Sequence, residues 1–168
     1  RRPQDGHIYA IETSMILYVN GDSHSVAAEA ADRAAFANDS HLHWGTPHRH
    51  GHKDNLAVSY ATKAAEANGW GWINQGESGS SNDRIIRTTD IFLETSSIKD
   101  LIILIGWSTW EREEWLHNNI YYQISASGTD HVPAELRGKY KQWVIDCKQR
   151  YAENELKWHD RIWQYHLK

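Results

Sequence analysis

Cysteine is nearly absent: Cys147 stands alone in 168 residues, so no disulfide can form within the chain. A thiol set amid helix-like periodicity is also a poor nucleophile candidate, and low cysteine usage fits a reducing compartment. Long apolar runs are missing too. No window approaches the roughly 18 apolar residues that a membrane helix needs, and the opening RRPQDGHIYA lacks the apolar centre of a signal peptide. The expectation is a soluble protein, cytoplasmic or virion-associated, with no membrane partner. Excess positive charge is a third absence. The net charge is −4 with both signs mixed along the chain, which leaves no basic stripe for nucleic acid. A neutral or weakly polar ligand suits this surface better. Internal repeats and low-complexity tracts are lacking as well.

What is present is enough for one core. A length of 168 residues with 40% hydrophobic content gives a single domain over residues 1–168, with residues 1–13 as an N-terminal extension. Nine tryptophans are a strong excess, and several stand near polar, Gly-rich segments where an indole can stack on a sugar ring as readily as fill a core.

MILYV (Met15 to Val19) is a short apolar run bounded by polar residues, the pattern of a strand buried on both faces of a parallel sheet. SVAAEAADRAAFA, starting at Ser25, is rich in helix formers with Ser25 as N-cap. Asn38 to Asn55, with Gly, Pro, Asn, Asp and His and no period, reads as a long loop. LAVSYATKAAEA (Leu56 to Ala67) predicts a helix ended by Asn68-Gly69, and WGWIN (Trp70 to Asn74) a second strand. Ser80 or Ser81 caps a helix with Ile85, Thr89 and Phe92 on one face. LIILIG (Leu101 to Gly106) is the clearest buried strand, and WSTWEREEW leaves it as a loop. NIYYQIS (Asn119 to Ser125) is a short extra strand or an extended excursion. Pro133 to Tyr151 and the stretch around Leu156 to His166 predict two closing helices.

Alternating strands and helices with buried-type strands predict an α/β fold, a three-layer αβα sandwich around a central parallel sheet. Reactive groups in such sheets gather at the carboxyl ends of the strands. Three turns stand there: NGDSHS, NQGESGSSN and GWSTWER. A serine nucleophile needs a turn that exposes its hydroxyl, a base, and donors for an oxyanion. Ser23 meets the first need. Gly76 and Gly79 allow a backbone N–H to face a cleft, and Ser108 brings a hydroxyl to the third strand end. The competing reading of Ser23 is a capped strand-to-helix turn, with Asp22 or Ser25 accepting a backbone N–H.

The three turns carry a family resemblance. YVNGDSHS resembles block I of the SGNH, or GDSL-type, hydrolases and esterases, INQGESGSSN resembles their block II, and LIILIGWS stands where block III follows the third strand. The narrower wording around SGSSNDRIIRTT and GWSTWEREEW is similar to uncharacterised phage-encoded members. The resemblance implies a flavodoxin-like SGNH fold, Ser23 as nucleophile and oxyanion donor, Gly79 as second donor, and Ser108 in place of the block III Asn. Asn82, Trp107, Trp110 and Arg112 are the candidate substrate contacts. It implies no cofactor and no metal.

Block V, Asp-x-x-His, is the departure. His159, Asp160 and His166 lie in a helical pattern, and the chain ends before another strand, so the last strand and the base-bearing segment are expected to be absent. Either the chain is a truncated piece of an enzyme, or its base comes from elsewhere, or it does not catalyse. Substitute bases are His24, His48 and His50, with His41, His43 and His52 in the same loop.

The resulting expectation is a serine ester hydrolase that cleaves acyl esters, carbohydrate O-acyl groups among them. The alternative is a non-catalytic glycan-binding or phage virion-associated module, assembled into a viral or homo-oligomeric complex. A third reading makes the His-rich loop HLHWGTPHRHGH a metal-binding element, although no Cys or carboxylate stands at ligand spacing.

Overall fold

The computed structural model describes residues 15–31, 51–126 and 132–167. Three parallel strands form its sheet in the order β2-β1-β3. They are β1 (Ile16–Asn20), β2 (Gly71–Asn74) and β3 (Leu101–Ile105). Ile16 sits opposite both Gly71 and Leu101, so all three strands run in register and end together. Side chains alternate across β1. Leu17 and Val19 pack with Ala61 and Ala65 of helix α2 (Tyr60–Asn68). Tyr18 and Asn20 face helix α3 (Asn82–Thr95), where Tyr18 stacks on Phe92 with ring centroids 4.2 Å apart. The sheet therefore carries one helix on each face, a mixed α/β arrangement with β1 at its centre.

Asn20 is fully buried, and its polar atoms are all occupied. The amide nitrogen reaches Thr88 Oγ1 at 2.7 Å and the Ile85 carbonyl at 3.2 Å, while the amide oxygen accepts from the Gly21 N–H at 2.9 Å. Burial also pushes the Tyr18 hydroxyl above its usual pKa. This polar seam fixes the angle at which α3 crosses the sheet.

The helix over Leu56 to Ala67 is interrupted. Helix α1 (Lys53–Val58) and α2 meet at Ser59, whose extended backbone and hydroxyl cap α2 at the Thr62 N–H, 3.2 Å away. Gly69 ends α2 with φ 67°, the left-handed conformation that glycine adopts without strain. Ser81, rather than Ser80, caps α3.

Three sequence expectations need correction. The helix from Ser25 does not form over residues 25–31, which run as successive turns with Ala27 at φ 51° and Glu29 at φ 66°. Tertiary contacts hold the backbone there. Asn74 donates to the Ser25 carbonyl at 2.7 Å, and Asn55 accepts from the Ala31 N–H at 2.9 Å. Intrinsic alanine propensity is a weak force beside such contacts. The rest of that segment lies outside the described residues. Secondly, β3 is not buried: among the described residues it is an outer strand, with Ile103 and Leu104 exposed at 41% and 38%.

Thirdly, WSTWEREEW is not all loop. Strand β4 (Arg112–His117) begins within it and pairs antiparallel with β5 (Ile120–Ser125). Asn118 and Asn119, at φ 50° and 61°, form the two-residue connection, the geometry that matches strand twist. The hairpin buries Trp115 and Ile124 against Val132 and Tyr140. Tyr140 belongs to helix α4 (Arg137–Gln149), which is followed by α5 (Tyr151–His166). Arg87 of α3 holds the hairpin through both oxygens of Glu114, at 2.6 and 2.7 Å. Among the described residues no helix is long and apolar enough to cross a membrane.

Replacing Asn20 by Ala strands the Gly21 N–H and opens a gap under α3. The unfolding free energy is expected to fall by about 3 kcal/mol, read from the urea midpoint. A loss below about 1 kcal/mol would remove the polar seam from the account of the fold.

Candidate active site

The three strand ends are bonded to one another through their turns. Gly21 follows β1 and admits no side chain, because a Cβ there would lie 2.0 Å from Ser25 Oγ and 2.8 Å from the Gly106 carbonyl. Its carbonyl accepts from the Glu77 N–H of the second turn at 3.0 Å. Asp22 then divides its carboxylate. One oxygen accepts from the His24 N–H at 3.0 Å and lies 3.2 Å from His24 Nδ1. The other accepts from Arg112 Nη1 at 3.1 Å and lies 3.4 Å from Ser108 Oγ. Arg112 Nη1 also donates to Ser108 Oγ at 2.9 Å.

Asn82 closes the ring from the first turn of α3. Its side-chain amide pairs with the Ser108 backbone in both directions, accepting from the N–H at 2.7 Å and donating to the carbonyl at 2.9 Å. The side chain is fully buried. This is a structural clasp, with the amide nitrogen and oxygen each bonded to the Ser108 backbone.

The second turn is held by a buried ion pair. Arg84 Nη2 lies 2.8 Å from Glu77, both side chains being less than a tenth exposed, and Nη1 donates to the Gln75 carbonyl and to Ser80 Oγ at 3.2 Å. Arg84 and Arg87 do not pair with Asp83 and Asp90, their neighbours in α3. Asp83 pairs with Arg161 at 2.6 Å, and Asp90 accepts from Tyr165 at 2.9 Å. Burial raises the Asp83 carboxyl above its usual range, with Arg161 opposing. Gly79 is buried at φ 83°, which a side chain would strain.

Ser23 stands between Asp22 and His24 in the first turn, half-buried, with its carbonyl accepting from the Ala28 N–H at 2.9 Å. Its hydroxyl and its N–H have no protein partner among the described residues, and neither has the Gly79 N–H. Ser108 differs: its N–H is taken by Asn82, and its hydroxyl stands between Arg112 and Asp22. Its N–H is thus held by the clasp, and its hydroxyl, expected as a third oxyanion donor, accepts from Arg112 and lies 3.4 Å from Asp22. Arg112, expected as a substrate contact, is anchored on Asp22 through one of its nitrogens.

The base candidates separate. His24 is 91% exposed in its side chain and steadied through Nδ1 by Asp22. His52 caps α1, its Nδ1 accepting from the Asp54 N–H at 3.2 Å. His41, His43, His48 and His50 lie outside the described residues. Among those described, no three metal-ligating side chains cluster.

The two tryptophans flanking Ser108 both turn to α5. Trp107 Nε1 donates to His166 Nε2 at 3.0 Å, and Trp110 packs edge-on against Tyr151 with centroids 4.8 Å apart. Cys147 is also buried, and desolvation together with the charges of Glu113, Glu111 and Asp146 pushes its thiol up to about 11, which disqualifies it as a nucleophile. The clasp by Asn82 and the anchoring by Arg112 escaped the sequence reading, since both depend on which loops meet in space. No family model, curated protein or solved structure matches the chain.

Glu77→Gln keeps the shape of the second turn and leaves the Arg84 guanidinium buried without its counter-charge. A loss of about 3 kcal/mol is expected in chemical denaturation. An unchanged midpoint would show that the pair does not hold the turn.

Proposed function

We propose that this chain is a serine ester hydrolase of the SGNH type, acting on acyl esters with carbohydrate O-acyl groups among its substrates. One observation carries the reading. Among the described residues the hydroxyl and N–H of Ser23 have no partner, at the carboxyl end of the central strand and amid side chains that are hydrogen-bonded to one another. A turn that merely capped a helix would spend that hydroxyl on a backbone N–H, and residues 24–31, which follow it, run as turns and bends rather than as a helix.

In this mechanism Ser23 Oγ attacks the ester carbonyl carbon and gives its proton to a base. The carbonyl oxygen, now negative, is received by the N–H groups of Ser23 and Gly79. Collapse of the tetrahedral species breaks the carbon–oxygen bond to the alcohol, which leaves with the proton. The acyl group remains on Ser23 until water, deprotonated by the same base, releases it as the acid. His24 is the base candidate among the described residues, because Asp22 holds one ring nitrogen and leaves the other to exchange protons. The Arg112 contact keeps Asp22 in the place from which it orients His24.

A second reading rests on Ser108. Its donors are committed to Asn82 and Asp22, so the oxyanion cradle has two backbone donors where the family pattern has three groups. A non-catalytic module, glycan-binding or virion-associated, would keep such a turn without using it.

Turnover of a short-chain aryl ester distinguishes them. Ser23→Ala is expected to lower kcat/KM by at least about a thousandfold, and His24→Ala by at least about a hundredfold. A rate unaffected by Ser23→Ala would refute the hydrolase reading, and a wild-type protein with no turnover would favour the module.

A further inference from the structure

A recess of about 310 Å³ lies among α4, α5 and the segment entering β4, and none of Ser23, Gly79 or Ser108 lines it. Three indoles, Trp110, Trp143 and Trp158, contribute to its wall beside two carboxylates, Glu113 and Asp146. Aromatic neighbours hold two of the rings. Trp110 packs edge-on with Tyr151 and Trp143 with Trp115, at centroid separations of 4.8 and 6.0 Å. The carboxylates have neutral partners. Glu113 accepts from the Trp115 indole at 2.7 Å and Asp146 from the Gln142 amide at 3.0 Å, and neither makes an ion pair among the described residues. The cations of the wall are spent on acids that do not line it. Arg161 pairs with Asp83 at 2.6 Å and Lys157 with Glu153 at 2.7 Å, and Lys157 and Arg150 together hold the Glu153 carboxyl below its usual range. The buried Cys147 thiol, in the same wall, is raised by desolvation and then by Glu113, Glu111 and Asp146, so acids set the field there.

What is left unspent is negative charge beside flat aromatic rings. We propose that this recess binds a small organic cation with a methylated ammonium group, seated against the indoles with Glu113 and Asp146 as its counter-charges. An ammonium that carries no N–H is drawn to the negative face of an indole and needs no hydrogen-bond acceptor. A primary ammonium brings three donors that must each be met. Here the acids already accept from neutral N–H groups, and indole rings supply no acceptor. A metal ion is disfavoured because no three metal-ligating side chains cluster among the described residues. Trp158 shows how these rings take a cation, with the Arg161 guanidinium 4.7 Å from its centroid. That charge is answered by Asp83, which leaves Trp110 and Trp143 as the walls for a ligand. The volume is at the small end of ligand pockets, which suits a single compact cation rather than a polymer.

This site goes beyond the ester-hydrolase reading and does not require it. Calorimetric titration of the full chain tests it with three probes: choline, its neutral isostere in which a tert-butyl group replaces the trimethylammonium, and ethanolamine. Choline is expected to bind at least about tenfold more tightly than either of the others. The isostere has the shape without the charge, and ethanolamine has the charge without the methyl groups. Asp146→Asn, a change of charge at an exposed position, is expected to weaken choline about fivefold and to leave the isostere as it was. Trp110→Ala is expected to weaken choline about tenfold, and Trp110→Phe, which keeps an aromatic face, to recover part of that loss. The proposal is overturned by the absence of saturable choline binding, or by an isostere or ethanolamine that binds as tightly as choline. It is equally overturned if neither Asp146→Asn nor Trp110→Ala changes the affinity.

Discussion

Asp22 accepts hydrogen bonds from two directions, and the candidate site depends on that division. One oxygen stays within its own turn, on the N–H of His24, and the other reaches Arg112 at the start of β4. Because Arg112 also holds Ser108, and Ser108 is clasped by Asn82, the carboxylate joins the exit of β1 to the exit of β3 and the start of α3. A carboxylate that is only 12% exposed would be costly to bury unpaired. Its pairing with a guanidinium turns that cost into a constraint on where three loops sit. Ser23, next in sequence, is placed by the clamp together with the bond its carbonyl accepts from the Ala28 N–H.

The same logic of shared polar groups runs through the sheet. Asn20 faces α3 beside Tyr18, and both are buried with hydrogen bonds into Thr88 and Thr89. The opposite face of β1 is plainly apolar, Leu17 and Val19 against Ala61 and Ala65. One helix is therefore held by packing and the other by a directional network. The directional side is the one that continues into Asn82 and the candidate site. Fixed polar geometry near chemistry is what pre-organisation requires.

The strands were legible because MILYV, WGWIN and LIILIG are short apolar runs bounded by polar or glycine residues. Their edge or central rank was not, since LIILIG reads as buried whether or not a strand lies beyond it. The hairpin carried a signal that the reading passed over: Asn118-Asn119 between REEWLH and IYYQIS is a two-residue turn of residues that tolerate positive φ. The helix expected from Ser25 failed for a different reason. Its backbone groups are captured by Asn74 and Asn55, remote in sequence, and no local propensity reports that. Within the candidate site, the turns that carry Ser23 and Gly79 are legible in the sequence from their glycines. Arg112, Asn82 and the Glu77 to Arg84 pair took on their parts only when the three loops met.

Under the proposed function, the Asp22 clamp presents Ser23 as a nucleophile. A fluorophosphonate tests this most directly, since a serine Oγ that attacks its phosphorus expels fluoride and leaves a stable adduct whose mass and position peptide mass spectrometry can read. The account predicts an adduct on Ser23 in the native protein, formed at least about tenfold more slowly in Arg112→Gln. An adduct on another residue, or none on Ser23, would contradict it.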